Sequence, residues 1–203
     1  MKLLSSPTSP YARVVRAVIK EKSLDYEVNI IEVDPWANPN ILVAANPFCR
    51  IPVLTTATGI ELSESLVIAL YLEKMYPDPT LLPPSHIEQV LHKVALGIGL
   101  IDSAVAIVAA KKFDSAAESN LIVQRRVAAI DRTLPTIFTA VEASTNNDVD
   151  LGDLYIAVSL EYIDLRFPNM TWRQTLPKLA DWLESLVSRP ALAETAPVVS
   201  HIS

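Results

Sequence analysis

The first third of the chain carries two kinds of hydrophobic pattern. Four short apolar runs predict strands, at residues 2–4, 26–31, 53–55 and 59–62. Two longer stretches repeat their apolar positions with the period of a helix, at residues 11–22 and 64–76. A loop broken by prolines, with room for at most one short helix, separates the second strand from the third. The predicted order of elements is therefore βαβαββα.

Proline content divides the chain near residue 77. Ten of the 15 prolines lie in the first 84 residues. Because proline cannot continue a helix, the proline-rich stretch at 77–84 predicts a stiff linker. All later apolar patterns are helical, and the predicted helices cover residues 86–113, 116–144, 150–167 and 176–188. We therefore predict an α/β domain over residues 1–76, a linker over 77–84 and an all-helical domain over 85–203.

Composition and charge narrow the classes of function. Half of the residues are hydrophobic, which predicts a folded protein with a buried core. The 17 basic and 23 acidic residues give a net charge of -6, which disfavours nucleic acid and anionic membranes as partners. The most apolar stretch, residues 94–110, is interrupted by Asp102 and Ser103, so we interpret it as a core helix rather than a membrane span.

Cysteine and histidine form no pattern that is typical of a metal or redox site. The single cysteine, Cys49, excludes an internal disulfide, a CxxC pair and a multi-cysteine zinc site. His86 and His92 are six residues apart and would point to different faces of a helix. We expect no metal. The apolar run at the first residues is too short for a signal peptide, and with the cysteine content this favours the cytosol.

Three short segments have residues that can carry chemistry. The first is Ser9-Pro10-Tyr11, between the first strand and the first helix, where serine suits the N-cap and proline the first helical position. Taken alone, such a pair is typical of a helix cap. The hydroxyl also lies in the positive potential of a helix N-terminus, which suits it to hold an anion or a thiolate.

The second and third segments border strands. In residues 46–54 a proline precedes the third strand, and the base rate of about 5 to 6% cis predicts a trans Ile51–Pro52 bond. A cis bond would instead present the Ile51 backbone to an extended peptide ligand. In residues 61–68 a strand is followed by a helix. Taken alone, the Ser63-Glu64 pair indicates a helix-capping serine and a carboxylate in the first turn of the helix.

A further pair of acids predicts a helix cap. Asp150 and Asp153, three residues apart at the start of a predicted helix, have the spacing of a capping box. We assign both carboxylates to structure rather than to catalysis.

Together these segments resemble the cytosolic glutathione S-transferases, in particular bacterial-type members with serine in the active-site motif. The resemblance rests on Ser-Pro-Tyr after the first strand, Asn-Pro-x-x-Arg-Ile-Pro-Val-Leu at the third strand and Leu-x-Glu-Ser-x-x-Ile at the third helix. The linker, the helical second half and the acidic cap extend it over essentially the whole chain. The resemblance implies a thioredoxin-like N-terminal domain followed by an all-α C-terminal domain.

The resemblance also implies a role for individual residues. Ser9 matches the catalytic serine that hydrogen-bonds the glutathione sulfur. Ile51 matches the residue before a cis-proline, Pro52, whose backbone pairs with the cysteinyl part of glutathione. Glu64 and Ser65 match the pair that binds the γ-glutamyl ammonium and carboxylate. The basic side chain of Arg50 is then a partner for the glycyl carboxylate.

The implied activity is detoxification, in which Ser9 stabilises the thiolate of the cosubstrate glutathione and the thiolate attacks a small hydrophobic electrophile. The electrophile is expected between the domains, near Tyr11, Ala104 and Phe113, although residues at such helical spacing are more often core. The family resemblance and the high apolar content also predict a symmetric homodimer.

Two departures from the family leave alternatives open. Cys49 stands where many members have glycine, and serine rather than cysteine at position 9 argues against thiol transfer through a mixed disulfide. The first alternative is a non-catalytic binding or regulatory protein, like the stringent starvation proteins. The second, a zeta-type maleylacetoacetate isomerase, is weakened because Thr8-Ser9-Pro10 lacks the serine-cysteine signature of that class.

Overall fold

A four-stranded mixed sheet forms the centre of the first of two units in the computed structural model, which describes residues 1–144 and 148–197. The strands are β1 (Lys2–Ser5), β2 (Asn29–Glu32), β3 (Val53–Thr55) and β4 (Glu61–Ser63). Their order across the sheet is β2-β1-β3-β4, with β1 parallel to β2 and antiparallel to β3, and β3 antiparallel to β4. Two consecutive β1 residues, Leu3 and Leu4, are fully buried, so both faces of the sheet are covered.

Helices α1 (Pro10–Glu21), α2 (Asn40–Ala45) and α3 (Ser65–Met75) follow β1, β2 and β4. A single-turn 3-10 helix, Pro35–Ala37, precedes α2. Helices α1 and α3 pack against each other, while α2 contributes Leu42 to a buried cluster with β1 and β3. The order is the predicted βαβαββα.

The second unit is helical and extends from Leu82 to Val187. Its helices are α4 (Ile87–Phe113), α5 (Leu121–Glu142), α6 (Leu151–Arg166), α7 (Trp172–Thr175) and α8 (Pro177–Val187). Helix α6 is central, since its first ten residues are all buried, as expected of a helix that is apolar around its whole circumference. The predicted fold class, a thioredoxin-like α/β domain followed by an all-helical region, is confirmed.

Helix α4 is the long apolar element of the second unit. Together with the 3-10 turn before it, the span Pro84–Phe113 has the length and composition of a membrane-crossing helix. Its buried residues recur at Val90, Val94, Gly97, Leu100 and Ile101, and it packs against both α5 and α6. This is the packing of a core helix, as we interpreted it from the sequence.

A capping box begins α6 at the position that the acidic pair predicts. The Asp150 carboxylate accepts the Asp153 N–H at 3.0 Å, and the Asp153 carboxylate accepts the Asp150 N–H at 3.1 Å. The Lys93 ammonium lies 2.7 Å from Asp150 and 2.6 Å from Asp153, and all three residues are buried. Burial, with the nearby Asp150 charge, raises the pKa of Asp153.

The end of the described chain, from Ser188, belongs to the first unit. Helix α9 (Pro190–Ala193) lies against α1, and the guanidinium of the buried Arg13 donates to the Leu192 carbonyl at 3.2 Å. Arg189 pairs with Glu21 through two hydrogen bonds of 3.0 and 3.1 Å. These polar and apolar contacts add to the packing of α1, and the predicted boundary of the helical domain at residue 203, which lies outside the described residues, stays a prediction.

Candidate functional site

Strand pairing brings the three predicted segments to one edge of the sheet. Leu4 pairs with Val53, and Val53 pairs with Ser63 on its other side. The chain therefore leaves β1, enters β3 and leaves β4 at adjacent places. The turn after β1 leads into α1, and Glu64 leads into α3, so two helix N-termini begin from this edge. Helix N-termini are regions of positive potential that favour anions and thiolates.

Ser9 is the N-cap of α1. Its hydroxyl oxygen accepts the Ala12 N–H at 3.3 Å, and its carbonyl accepts the Arg13 N–H at 2.9 Å. The side chain is partly exposed, whereas the following Pro10 is buried. Accepting a hydrogen bond uses a lone pair of the hydroxyl oxygen, so the hydroxyl proton can still be donated to a second group.

The loop before β3 has a cis peptide bond between Ile51 and Pro52, as the family resemblance implies and against the base rate. The buried Asn46 side chain shapes this loop, because its amide donates to the Arg50 carbonyl at 2.8 Å and its oxygen accepts the Phe48 N–H at 3.1 Å. Asn46 is a positioning residue to which sequence reasoning gave no role, although an asparagine before a proline is a known turn signal.

Cys49 occupies a left-handed backbone conformation in the same loop, with φ of 51°. Glycine adopts this conformation without strain, whereas a residue with a Cβ atom adopts it less readily. The Cys49 thiol lies 3.7 Å from the Pro35 carbonyl and packs against the cluster around Leu42. These contacts support a structural role for the side chain.

Glu64 and Ser65 stand at the start of α3. Glu64 is the N-cap, and its φ of 70° is an uncommon value for a residue with a side chain. Strained backbone of this kind is concentrated at functional sites. The Glu64 side chain is 60% exposed, whereas Ser65 is buried at the first helical position.

Arg50 reaches Glu64 across the edge of the sheet. Its Nη2 atom lies 3.6 Å from the Glu64 Oε1 atom, and its guanidinium carbon lies 5.4 Å from the centre of the Phe48 ring. The structure therefore brings Arg50 and Glu64 together, and Phe48 joins them as an exposed aromatic residue that sequence reasoning did not assign.

The residues predicted for a hydrophobic pocket have different environments. Tyr11 is partly exposed in the first turn of α1, Ala104 is fully buried in α4, and Phe113 ends α4 with 71% of its surface exposed. A ligand could reach Ala104 only after a rearrangement, and the assignment of these residues to a pocket stays a prediction. An open hollow of about 450 Å³ in the second unit is lined by other residues: His92, Pro135, Thr136, Thr139, Ala140 and Ala143.

Metal-binding side chains do not cluster in the described part of the chain: no group of three or more histidine, cysteine, aspartate or glutamate residues there could hold a metal ion. The expectation of a metal-free site stays a prediction.

Comparison with known proteins gives consistent findings. Residues 8–75 match the family model described as the glutathione S-transferase N-terminal domain. The uncharacterized GST-like protein YibF of Escherichia coli is 30% identical over 201 residues, and the match covers 97% of this chain and 98% of that protein.

Solved structures with glutathione or a derivative have the same fold over nearly the whole chain. A glutathione S-transferase of Methylobacterium radiotolerans, in complex with glutathione sulfonate, matches with a TM-score of 0.90 and 29% identity over 100% of this chain and 97% of that one. A glutathione S-transferase of Methylobacillus flagellatus with glutathione bound matches with a TM-score of 0.88 and 32% identity over 97% of this chain and 99% of the other.

Proposed function

Because this chain belongs to the glutathione S-transferase family, we propose that it binds glutathione at the edge of the sheet described above and transfers it to a small hydrophobic electrophile. In this reaction the glutathione sulfur forms a bond to an electrophilic carbon. The thiol proton goes to solvent. In a substitution the electron pair of the broken bond departs with the leaving group. In an addition the electron pair of the attacked double bond moves to its other atom, which takes up a proton. The protein supplies binding, orientation and a stabilised thiolate.

The observation that carries this proposal is the Leu4–Val53–Ser63 alignment across three neighbouring strands. It gathers a helix-capping hydroxyl, a cis-proline backbone edge and a strained acidic N-cap within one short stretch of the sheet edge. An extended tripeptide has a thiol in its middle and opposite charges at its ends. The gathered groups are complementary to each of these features.

Ser9 acts on the sulfur in this proposal. A free cysteine thiol has a pKa of about 8.5, so only about one molecule in thirty is a thiolate at pH 7. The Ser9 hydroxyl can donate to the sulfur while its oxygen still accepts from Ala12, and the N-terminus of α1 adds positive potential. Both interactions favour the thiolate over the thiol.

The other residues hold the peptide. The Ile51 backbone, next to the cis bond, pairs with the cysteinyl part of glutathione in the manner of an added strand. The Glu64 carboxylate accepts from the γ-glutamyl ammonium, while the Ser65 hydroxyl and the first amides of α3 donate to the γ-glutamyl carboxylate. Arg50 takes the glycyl carboxylate.

The experiment compares Ser9→Ala with Thr8→Ala, which removes the neighbouring hydroxyl that does not cap the helix. Calorimetry measures glutathione affinity, and turnover is followed with aryl halides, isothiocyanates, epoxides and peroxides. Loss of a charge-assisted donor worth about 1.5 to 3 kcal/mol raises the pKa of the bound thiol by about one to two units. We expect Ser9→Ala to lower turnover at neutral pH about ten- to hundredfold. The pH-rate profile should shift to higher pH by about one to two units, as the thiol pKa does.

The same experiment separates the proposal from its alternatives. Glutathione affinity of Ser9→Ala should stay within a fewfold of wild type, and Thr8→Ala should retain the wild-type pH-rate profile. If Ser9→Ala keeps that profile, Ser9 is only a helix cap, whose loss costs about 1 kcal/mol of stability. If wild type binds glutathione but turns over no electrophile, the chain is a non-catalytic glutathione-binding protein.

We also propose that the functional form is a cytosolic homodimer. Helix α3 has apolar residues on two faces: Ile68 and Leu72 are buried, while Val67 and Leu70 are 47% and 43% exposed. Apolar side chains gathered on the outside of one helix are typical of an interface with another protein. A second copy of the chain would cover this face.

A further inference from the structure

Arg50 and Glu64 pair with each other although the proposed function assigns them to opposite ends of one ligand. They meet because Val53 pairs with Ser63, which brings the residues before β3 beside the residue after β4. Their side chains are 66% and 60% exposed, so both can be reached from solvent. An ion pair in such a position is weak and is easily exchanged.

The loop fixes where Arg50 starts. The Asn46 amide holds the Arg50 carbonyl at 2.8 Å, and the Phe48 ring lies 5.4 Å from the guanidinium carbon. A guanidinium over an aromatic ring gains a modest cation–π attraction. Arg50 is thus held beside Glu64 by its backbone and by the Phe48 ring. The position of its guanidinium therefore does not depend on the ion pair with Glu64 alone.

We infer that in the free protein Arg50 occupies the place beside Glu64 that the ligand ammonium takes in the complex. Glutathione displaces Arg50 from there, and the single Arg50–Glu64 ion pair is replaced by two ion pairs with the ligand. This inference rests on the proposed function. The ligand ammonium takes the place of the guanidinium at Glu64, and the glycyl carboxylate receives the displaced guanidinium. Arg50 thereby acts as a specificity-determining residue that favours ligands carrying a charge of each sign.

The exchange gives one substitution opposite effects on two ligands. With glutathione, Arg50→Gln removes a partner of the glycyl carboxylate and weakens binding. In glutathione glycyl ethyl ester the glycyl carboxylate is masked. When the ester displaces Arg50 from Glu64, the guanidinium therefore finds no carboxylate on the ligand to pair with. Arg50→Gln should then strengthen binding of the ester, because Glu64 no longer has an internal competitor.

The test is calorimetry of both ligands against wild type, Arg50→Gln, Glu64→Gln and the double variant. Ionic strength is kept near 0.01 M, where the Debye length is about 30 Å and the exposed pair is least screened. Coupling between exposed ions predicts that Arg50→Gln binds the ester about 1.5 to 5 times more tightly than wild type. Lys74→Gln, which removes an exposed cation at the far end of α3, is the matched charge control and should leave ester affinity unchanged.

The Glu64→Gln background distinguishes competition from simple repulsion of the ligand ammonium by Arg50. Competition requires the gain to disappear in that background, as in a double-mutant cycle. A gain that persists there, or an ester affinity that Arg50→Gln leaves unchanged or lowers, would overturn the inference while the proposed function stands. If wild type binds no glutathione, the proposed function itself is wrong and the exchange falls with it.

Discussion

At the scale of a single residue, the Glu73 carboxylate forms an ion pair that links helix α1 to helix α3. The ammonium of Lys22, whose side chain has no exposed surface, lies 2.7 Å from Glu73 and also donates to two backbone carbonyls after α3. Glu73 further accepts from the Thr80 hydroxyl at 2.7 Å and the Leu81 N–H at 3.1 Å. The end of α1 is thereby joined to the end of α3 and to the segment that follows it.

This arrangement makes part of the stability depend on pH. Burial alone would raise the pKa of Glu73, but the bonds from Lys22, Thr80 and Leu81 outweigh it and hold the pKa below its usual value. The folded state thus binds this proton less readily than the unfolded state. The contribution to the free energy of unfolding is fully present above the usual glutamate pKa and is lost as pH falls through the lower, folded value.

We expect Glu73→Gln to lower the free energy of unfolding at pH 7 by about 1.5 to 3 kcal/mol, the range for hydrogen bonds to charged groups. Urea unfolding at a series of pH values should show the difference from wild type shrinking below about pH 4. Glu27→Gln, at an exposed position, is the control and should track wild type throughout. A deficit for Glu73→Gln that is independent of pH would contradict the assignment.

Backbone conformation and long-range pairing are the residue-scale features that sequence could not supply. Nothing in the chemistry of Cys49 or Glu64 indicates their φ values of 51° and 70°, since positive φ is usual only for glycine, asparagine and aspartate. The Arg50–Glu64 pair likewise depends on the β3–β4 register. The motif residues themselves were predictable, because helix caps and strand entrances have recognisable side chains.

At the scale of the elements, helix α4 packs against α6, and Gly97 lies at one of their close contacts. A Cβ atom at position 97 would lie 2.7 Å from the Tyr155 Cβ and 2.8 Å from the Tyr155 carbonyl carbon. Gly99, two residues along the same helix, has nothing within 4 Å of such an atom. One glycine allows close approach of two helices, and the other only leaves a helix position without a side chain.

The two glycines should therefore respond oppositely to alanine. Gly99→Ala should raise the free energy of unfolding by about 0.5 to 1 kcal/mol, because alanine is the better helix former. Gly97→Ala should lower it by about 1 to 3 kcal/mol, since the added methyl overpacks the contact with Tyr155. Thermal and urea unfolding of both variants measure the difference, and an equal response would mean that α4 and α6 are not in close contact at Gly97.

Long elements were predictable from periodicity, and short ones were not. Helices α4 and α6 carry several turns of apolar repeat, whereas α7 and α9 have four residues each and no complete repeat to recognise. Strand β2 begins at Asn29 rather than at residue 26, because Tyr26 lies fully exposed in the preceding turn. Helix α5 begins at Leu121 because the Asn120 side chain caps it.

At the scale of the whole molecule, the exposed apolar face of α3 predicts the oligomeric state. Val67, Leu70 and Met75 are each more than 40% exposed in the single chain. Light scattering at micromolar concentration should give about twice the 22.3 kDa chain mass. Leu70→Glu should shift the mass toward that of one chain, because it puts a charge into an apolar interface.

Two results bear on this prediction. The matched variant Ile122→Glu, at another exposed apolar position on α5, should keep the wild-type mass. A wild-type mass near 22.3 kDa would refute the homodimer.

The attachment of α9 to α1 has a consequence for protein synthesis. Arg189 and Glu21 are 168 residues apart in sequence, and Arg13 and Leu192 are 179 apart. A ribosome adding about 5 to 20 residues per second needs roughly 8 to 34 s to make the first of these intervals. For that time the outer face of α1, with its buried arginine, has no cover. The contacts of α9 with α1 are therefore among the last that a newly made chain can form.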